Sequence, residues 1–96
     1  MCTAIACSGR GLYFGRTLDL DRSYGEEVVI TPRCFPLPFR ETASMPTHHA
    51  IIGMAHVADG YPLYYDAMNE RGLCMAGLRF RPHARYSGGA GAQIAP

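Results

Sequence analysis

Apolar and polar positions alternate through the first half of the chain. Thr3-Ala4-Ile5-Ala6 reads as a short strand, Ser8-Gly9-Arg10-Gly11 as a turn, and Leu12-Tyr13-Phe14-Gly15-Arg16-Thr17-Leu18 as a second strand, together a β-hairpin. Glu27-Val28-Val29-Ile30-Thr31 is β-branched and closed by Pro32, which predicts a third strand. Pro36, Pro38 and Pro46 deny any long regular element to the stretch from Phe35 to Pro46, so it reads as a loop. Regular structure resumes near Ala50, where Ile51-Ile52-Gly53-Met54-Ala55 and Leu63-Tyr64-Tyr65-Asp66-Ala67 flank the hairpin signal Asp59-Gly60. A further turn, Asn69-Glu70-Arg71-Gly72, leads to Leu73-Cys74-Met75-Ala76-Gly77-Leu78, whose nearly continuous apolar run predicts a strand buried on both faces.

No segment carries a convincing helical period. After Tyr86 the chain is rich in Gly and Ala and stops at Gln93-Ile94-Ala95-Pro96 without a terminating element. About six strands and no helix leave one sheet face uncovered, so residues 1–96 are expected to be part of a single larger α+β domain. The composition agrees: 96 residues with 48% apolar and 10% aromatic content make one unit with no second domain, and its core is marginal. Only 18% of residues are charged and the net charge is +1, which excludes the disordered class.

Charge also excludes partners. The chain has no Lys, and its arginines are dense only over residues 67–96, where Arg71, Arg79, Arg81 and Arg85 face Glu70 alone; no nucleic-acid partner is expected. The opening Met-Cys-Thr-Ala-Ile-Ala lacks a basic n-region, and the longest apolar stretch, Ala50 to Ala55, falls far short of the roughly 18–20 residues of a membrane span. The expected location is cytoplasmic, with no membrane partner. Cys2, Cys7, Cys34 and Cys74 are then expected as reduced thiols, and their spacing, like that of the adjacent His48 and His49, does not suit a metal.

Candidate chemistry begins at Cys2. Removal of an initiator Met ahead of so small a residue would leave one residue bearing both a thiol and a free α-amine of pKa about 7.7–8.0, a nucleophile with its own base. Arg16 and Asp19, at the end of the predicted second strand, would be brought beside it by the hairpin. A guanidinium there favours thiolate, and a carboxylate can orient the α-ammonium. Taken alone, Cys2 also fits a small apolar residue at a strand start, and Arg16 with Asp19 a surface ion pair.

Several blocks together narrow the choice. Met1-Cys2-Thr3-Ala4, Tyr13 to Asp19, Ser23-Tyr24-Gly25-Glu26, Val29-Ile30-Thr31-Pro32-Arg33 and Tyr65 to Leu73, followed by Met75-Ala76-Gly77-Leu78, resemble in order the N-terminal blocks of the choloylglycine hydrolase family. The resemblance implies the strand-rich, N-terminal part of an αββα sandwich of the N-terminal-nucleophile hydrolase type. It also implies that Cys2 is the nucleophile, Arg16 supports its thiolate and Asp19 positions its amine, with no metal or organic cofactor. The implied reaction is hydrolysis of a linear amide, conjugated bile acids being the first substrate expected, and a homo-oligomer is common in the family. Penicillin V acylase or N-acyl homoserine lactone acylase activity is the alternative within the family. A truncated, non-enzymatic chain or β-rich interaction module is the alternative outside it.

The sequence departs from the family at Arg79, where Asn or Tyr usually follows Ala-Gly-Leu and helps build the oxyanion site. The family's later catalytic Asn and Arg would lie beyond Pro96. Arg79, facing away from Leu78 in a strand, is a candidate for binding an anionic substrate group, with a solvated arginine beside Arg81 and Arg85 as the other option. Tyr24 and Tyr65 are candidates for lining an apolar substrate pocket, as is Tyr61, with a place in the core as the other reading. Cys7, Cys34 and Cys74 are expected to be packing thiols, and His48, His49 and His56 to have structural places.

Overall fold

The computed structural model describes residues 2–39 and 44–79, and among these it is built of strands alone. Ala4–Ser8 (β1) and Leu12–Arg16 (β2) form an antiparallel hairpin in which Ala4 faces Arg16 and Ser8 faces Leu12. Backbone pairing runs past the strand ends: Thr17 N–H donates to the Thr3 carbonyl at 2.9 Å, and Thr3 N–H donates to Thr17 Oγ1 at 3.0 Å. The segment that carries Cys2 is thereby fixed against β2. By strand alternation Cys2, Ala4 and Arg16 share one face of the hairpin.

The second sheet has five strands. Glu27–Thr31 (β3), as expected, pairs with the long Ile51–Ala58 (β4), and β4 pairs on its other side with both Tyr61–Tyr64 (β5) and Asp66–Asn69 (β6); Cys74–Ala76 (β7) closes the sheet beside β6. The Asp59-Gly60 turn forms where expected, with both residues at positive φ, 52° and 76°, as a two-residue hairpin turn of the right twist requires. Asn69 caps the next turn by accepting the N–H groups of Arg71 and Leu73 on Oδ1, while Gly72 takes φ 85°.

One predicted strand is divided. The run from Leu63 to Ala67 is interrupted at Tyr65, because three residues, 65–67, face only Gly53 and Met54 between the pairs Ala55↔Tyr64 and Ile52↔Met68. This β-bulge pushes the backbone toward β4, and a Cβ at Gly53 would lie 2.0 Å from the Asp66 carbonyl oxygen, so only Gly fits. The bulge frees the Met54 N–H from the ladder, and Asp66 Oδ1 accepts it at 3.1 Å.

Residues 32–39 and 44–50 lie over one face of the larger sheet. Leu37 bridges Met45 and is buried; Thr31, also buried, shares a 2.7 Å hydrogen bond with Tyr64 Oη. A bidentate Arg33–Glu70 pair ties this loop to the β6–β7 turn, and Glu70 also accepts the Ala50 N–H. On the opposite face Leu12 of the hairpin borders a small cavity with Ile30, Ile52 and Met68.

The expected burial of Leu73 to Leu78 on both sides is not observed. β7 is a three-residue edge strand, and Leu73, Met75 and Leu78 are exposed, Met75 at 70%, because nothing among the described residues packs on them. Val28, Ile30 and Ile52 are likewise exposed on the hairpin side of the sheet. The uncovered apolar face inferred from the strand count is thus present. Cys7 and Cys34 are exposed rather than packed, because their positions fall on the outer face of the hairpin and in the loop after β3; all four cysteines are free. The Gly-rich run after Tyr86, with Arg81 and Arg85, lies outside the described residues.

Candidate active site

Arg16 organises the junction between the two sheets. Its side chain is only 6% exposed, and a buried guanidinium must find acceptors for its donors. Here Nε donates to the Thr17 carbonyl at 3.1 Å, Nη1 to that of Tyr65 at 3.3 Å and Nη2 to that of Gly77 at 2.8 Å, while Asp66 Oδ2 lies 3.7 Å from Nη1 and supplies the counter-charge. The bulge explains this arrangement. By interrupting the pairing with β4 at residues 65–67, it leaves the Tyr65 carbonyl and the Asp66 carboxylate facing Arg16.

The same carbonyl extends β7. Gly77 N–H donates to the Tyr65 oxygen at 2.8 Å, which carries the chain on to Arg79 beside Cys2. The Cys2 thiol has a pKa below the usual thiol range. The main cause is the backbone N–H of Arg79, then that of Asp19, both hydrogen-bonded to the sulfur; the Arg16 charge adds to the effect, while partial desolvation and the Asp19 carboxylate oppose it. The segments that follow β2 and β7 and one buried cation therefore converge on one sulfur.

A cavity of about 420 Å³ opens beside Leu18 and Leu20, walled by Arg22, Ser23, Glu26 and Met54. Its rim is ordered by Glu26, which accepts Ser23 Oγ at 2.5 Å and the Tyr24 N–H at 3.0 Å and is held below the usual carboxylate range, first by the Ser23 hydroxyl. His56 is on the same face of β4 as Met54, with its Nδ1 buried and unpartnered among the described residues. The larger cavity, about 700 Å³ and lined by Leu37, Phe39, Met45, Ile51, Tyr64 and Met75 among others, lies on the other face of the sheet, away from the sulfur.

Residues 2–95 match the family model described as linear amide C–N hydrolases, choloylglycine hydrolase family. The chain belongs to that family. It is 54% identical over 86 residues, 90% of its length, to a bile salt hydrolase/transferase of Lactiplantibacillus plantarum, and 48% identical over 91 residues, 93% of its length, to a conjugated bile acid hydrolase of Lactobacillus gasseri. Among solved structures, the C2A mutant of the conjugated bile acid hydrolase from Clostridium perfringens superposes with a TM-score of 0.77 at 33% identity over 91% of the chain. The seven strands are therefore a strand-rich part of the αββα sandwich of the N-terminal-nucleophile hydrolases. The chain spans only 26% and 29% of the two relatives, and 27% of the solved chain.

Within this choloylglycine hydrolase frame, the structure brings Cys2, Arg16, Asp19 and Arg79 together. Arg16 is paired with Asp66 rather than with Asp19, and the loop that carries Asp19 contributes its N–H to the sulfur. Arg79 reaches Cys2 through its backbone, and its half-exposed side chain faces Asp21. Tyr24 is exposed and packs under Arg22, whose guanidinium carbon sits 5.1 Å from the ring centre; it does not wall the cavity. Tyr65 serves by its main chain, as the bulge that accepts Arg16 and Gly77. Tyr61 lines the larger cavity on the far face. Sequence reasoning missed Asp66 and Gly53. Their signal was present in the adjacency of a Gly on one strand to an Asp on its partner, but pairing register is invisible without the fold.

Proposed function

We propose that the intact protein hydrolyses the amide bond of glycine- or taurine-conjugated bile acids through Cys2 as an N-terminal nucleophile. The observation that carries this is the convergence on the Cys2 sulfur of the Arg79 and Asp19 N–H groups and the Arg16 charge, all of which favour thiolate. Loss of Met1 exposes the α-amine, which takes the thiol proton; the thiolate then attacks the amide carbonyl carbon. The tetrahedral intermediate collapses as the C–N bond breaks, the α-ammonium returns the proton to the departing amine, and an acyl thioester on Cys2 remains. Water attacks the thioester, frees the acid and restores the thiol.

Arg16 holds the thiolate form by its charge while its donors stay fixed on carbonyls, and the Asp19 carboxylate is suited to orient the α-ammonium. The bile salt assignment draws on the two relatives, whose names specify bile salts or conjugated bile acids. A second outcome of the same thioester is attack by an amine in place of water, in keeping with the transferase part of the name of the Lactiplantibacillus plantarum relative. The test is intact-mass analysis of the full-length protein together with an assay of glycine release from a glycine-conjugated bile acid. The expected result is an active enzyme beginning at Cys2; an active enzyme that retains Met1 would exclude the self-base mechanism.

A further inference from the structure

The reaction above uses the Arg79 backbone and leaves its side chain unassigned. That side chain starts from the segment whose N–H holds the Cys2 sulfur, and it is 48% exposed. Its Nη1 lies 4.0 Å from Oδ2 of Asp21, itself 95% exposed, on the loop that follows Asp19. The two segments that hold the sulfur by their N–H groups are thus joined a second time, by an ion pair of their side chains. At that distance and exposure the pair holds little energy in water. It is easily exchanged for a better anion.

The other described arginines near Cys2 are committed. Arg16 has spent its donors on the carbonyls of Thr17, Tyr65 and Gly77, and Arg22 lies over the Tyr24 ring. Arg79 alone of these three combines free donor capacity with a backbone N–H on the Cys2 sulfur. A guanidinium binds a carboxylate or sulfonate in bidentate fashion, which the 4.0 Å contact to Asp21 does not achieve.

Resting on the reading of Cys2 as an amidase nucleophile, we propose that Arg79 is a specificity-determining residue that pairs with an anionic group on the leaving amine. Asp21 is its placeholder: it holds the guanidinium in the free enzyme and is displaced when a carboxylate or sulfonate arrives. The sign of each effect follows. Removing the Arg79 charge lowers the preference for anionic over neutral amides, and removing the Asp21 charge raises it, because a competitor and a repulsive charge disappear together.

The experiment separates this from the nucleophile reading by measuring binding without turnover. In the full-length protein carrying Cys2→Ala, calorimetry gives Kd for a glycine-conjugated bile acid and for the corresponding neutral glycinamide conjugate. With Arg79→Gln added, the anionic-over-neutral preference is expected to fall about tenfold, and with Asp21→Asn added to rise about threefold, both effects shrinking at high salt. An unchanged preference in Arg79→Gln, a reduced one in Asp21→Asn, or no measurable binding of the glycine conjugate overturns the proposal. Hydrolysis persisting in Cys2→Ala overturns instead the nucleophile on which it rests.

Discussion

Arg16 determines at residue scale both the shape of the site and its charge. With its guanidinium 6% exposed and its donors fixed on Thr17, Tyr65 and Gly77, removing it would take the counter-charge from the Asp66 carboxylate and one donor from each of three carbonyls. Arg16→Met in the full-length protein is expected to cost on the order of 3–5 kcal/mol in chemical denaturation, the range for breaking a buried ion pair by deleting one partner. It also acts on Cys2. Because thiolate is the reactive form and Arg16 lowers the thiol pKa, iodoacetamide alkylation of Cys2 rises with pH through a midpoint below the ordinary thiol range, and Arg16→Met shifts that midpoint upward. Arg16→Lys keeps the charge and loses the planar fork, so its midpoint stays near wild type while its stability falls. A midpoint unmoved in Arg16→Met would remove Arg16 from the activation of Cys2. The proximity of Cys2, Arg16 and Asp19 was legible in the sequence because the hairpin needed only local pairing to bring them together. Asp66, which holds Arg16, was not, since its approach depends on a register set by a distant strand.

Gly53 and the bulge opposite it form the element that places the site. A Cβ there meets the Asp66 carbonyl at 2.0 Å, and the obstacle is backbone, which cannot swing away as a side chain would. Gly53→Ala is expected to cost about 1–3 kcal/mol or more by overpacking, and to raise the Cys2 alkylation midpoint because Tyr65 and Asp66 leave Arg16. A variant with wild-type stability and alkylation would contradict the bulge as the positioning element. The turn residues Asp59-Gly60 and Asn69 to Gly72 were readable because their φ demands are local. The break at Tyr65 was not, since an alternating apolar run gives no mark of one extra residue.

The Arg33–Glu70 tether gives the loop over the sheet a pH dependence. Glu70 is pushed down to about 2, first by the Arg33 hydrogen bonds and then by the Ala50 N–H. A carboxyl with a depressed folded-state pKa stabilises the fold fully above its unfolded pKa of about 4.3 and loses that contribution as pH falls toward 2. The stability difference between wild type and Glu70→Gln, measured by denaturation at several pH values, is therefore expected to be constant above about pH 5 and to vanish near pH 2. A difference that persists unchanged at pH 2 would separate Glu70 from the tether.

At the scale of the whole molecule, burial sets the limit. Leu37 and Ala55 are the buried apolar residues among those described, and no large side chain there is fully enclosed, while Val28, Ile30, Leu73 and Met75 are exposed. Such a surface needs further layers, as the αββα architecture supplies, and the chain spans about a quarter of its relatives. Residues 1–96 expressed alone are expected to bind a hydrophobic dye strongly and to release no glycine; efficient turnover would mean that the site is completed locally. The strand-rich class was legible from alternation alone. The two-sided burial expected of Leu73 to Leu78 failed because an apolar run records what a strand is suited to meet, and the layer it meets is not among the described residues. Most direct for the central claim is glycine release from a glycine-conjugated bile acid by full-length wild type and Cys2→Ala, with binding verified for both. The account predicts a fall of at least about a thousandfold in kcat with Kd retained, and a variant hydrolysing within tenfold of wild type would contradict it.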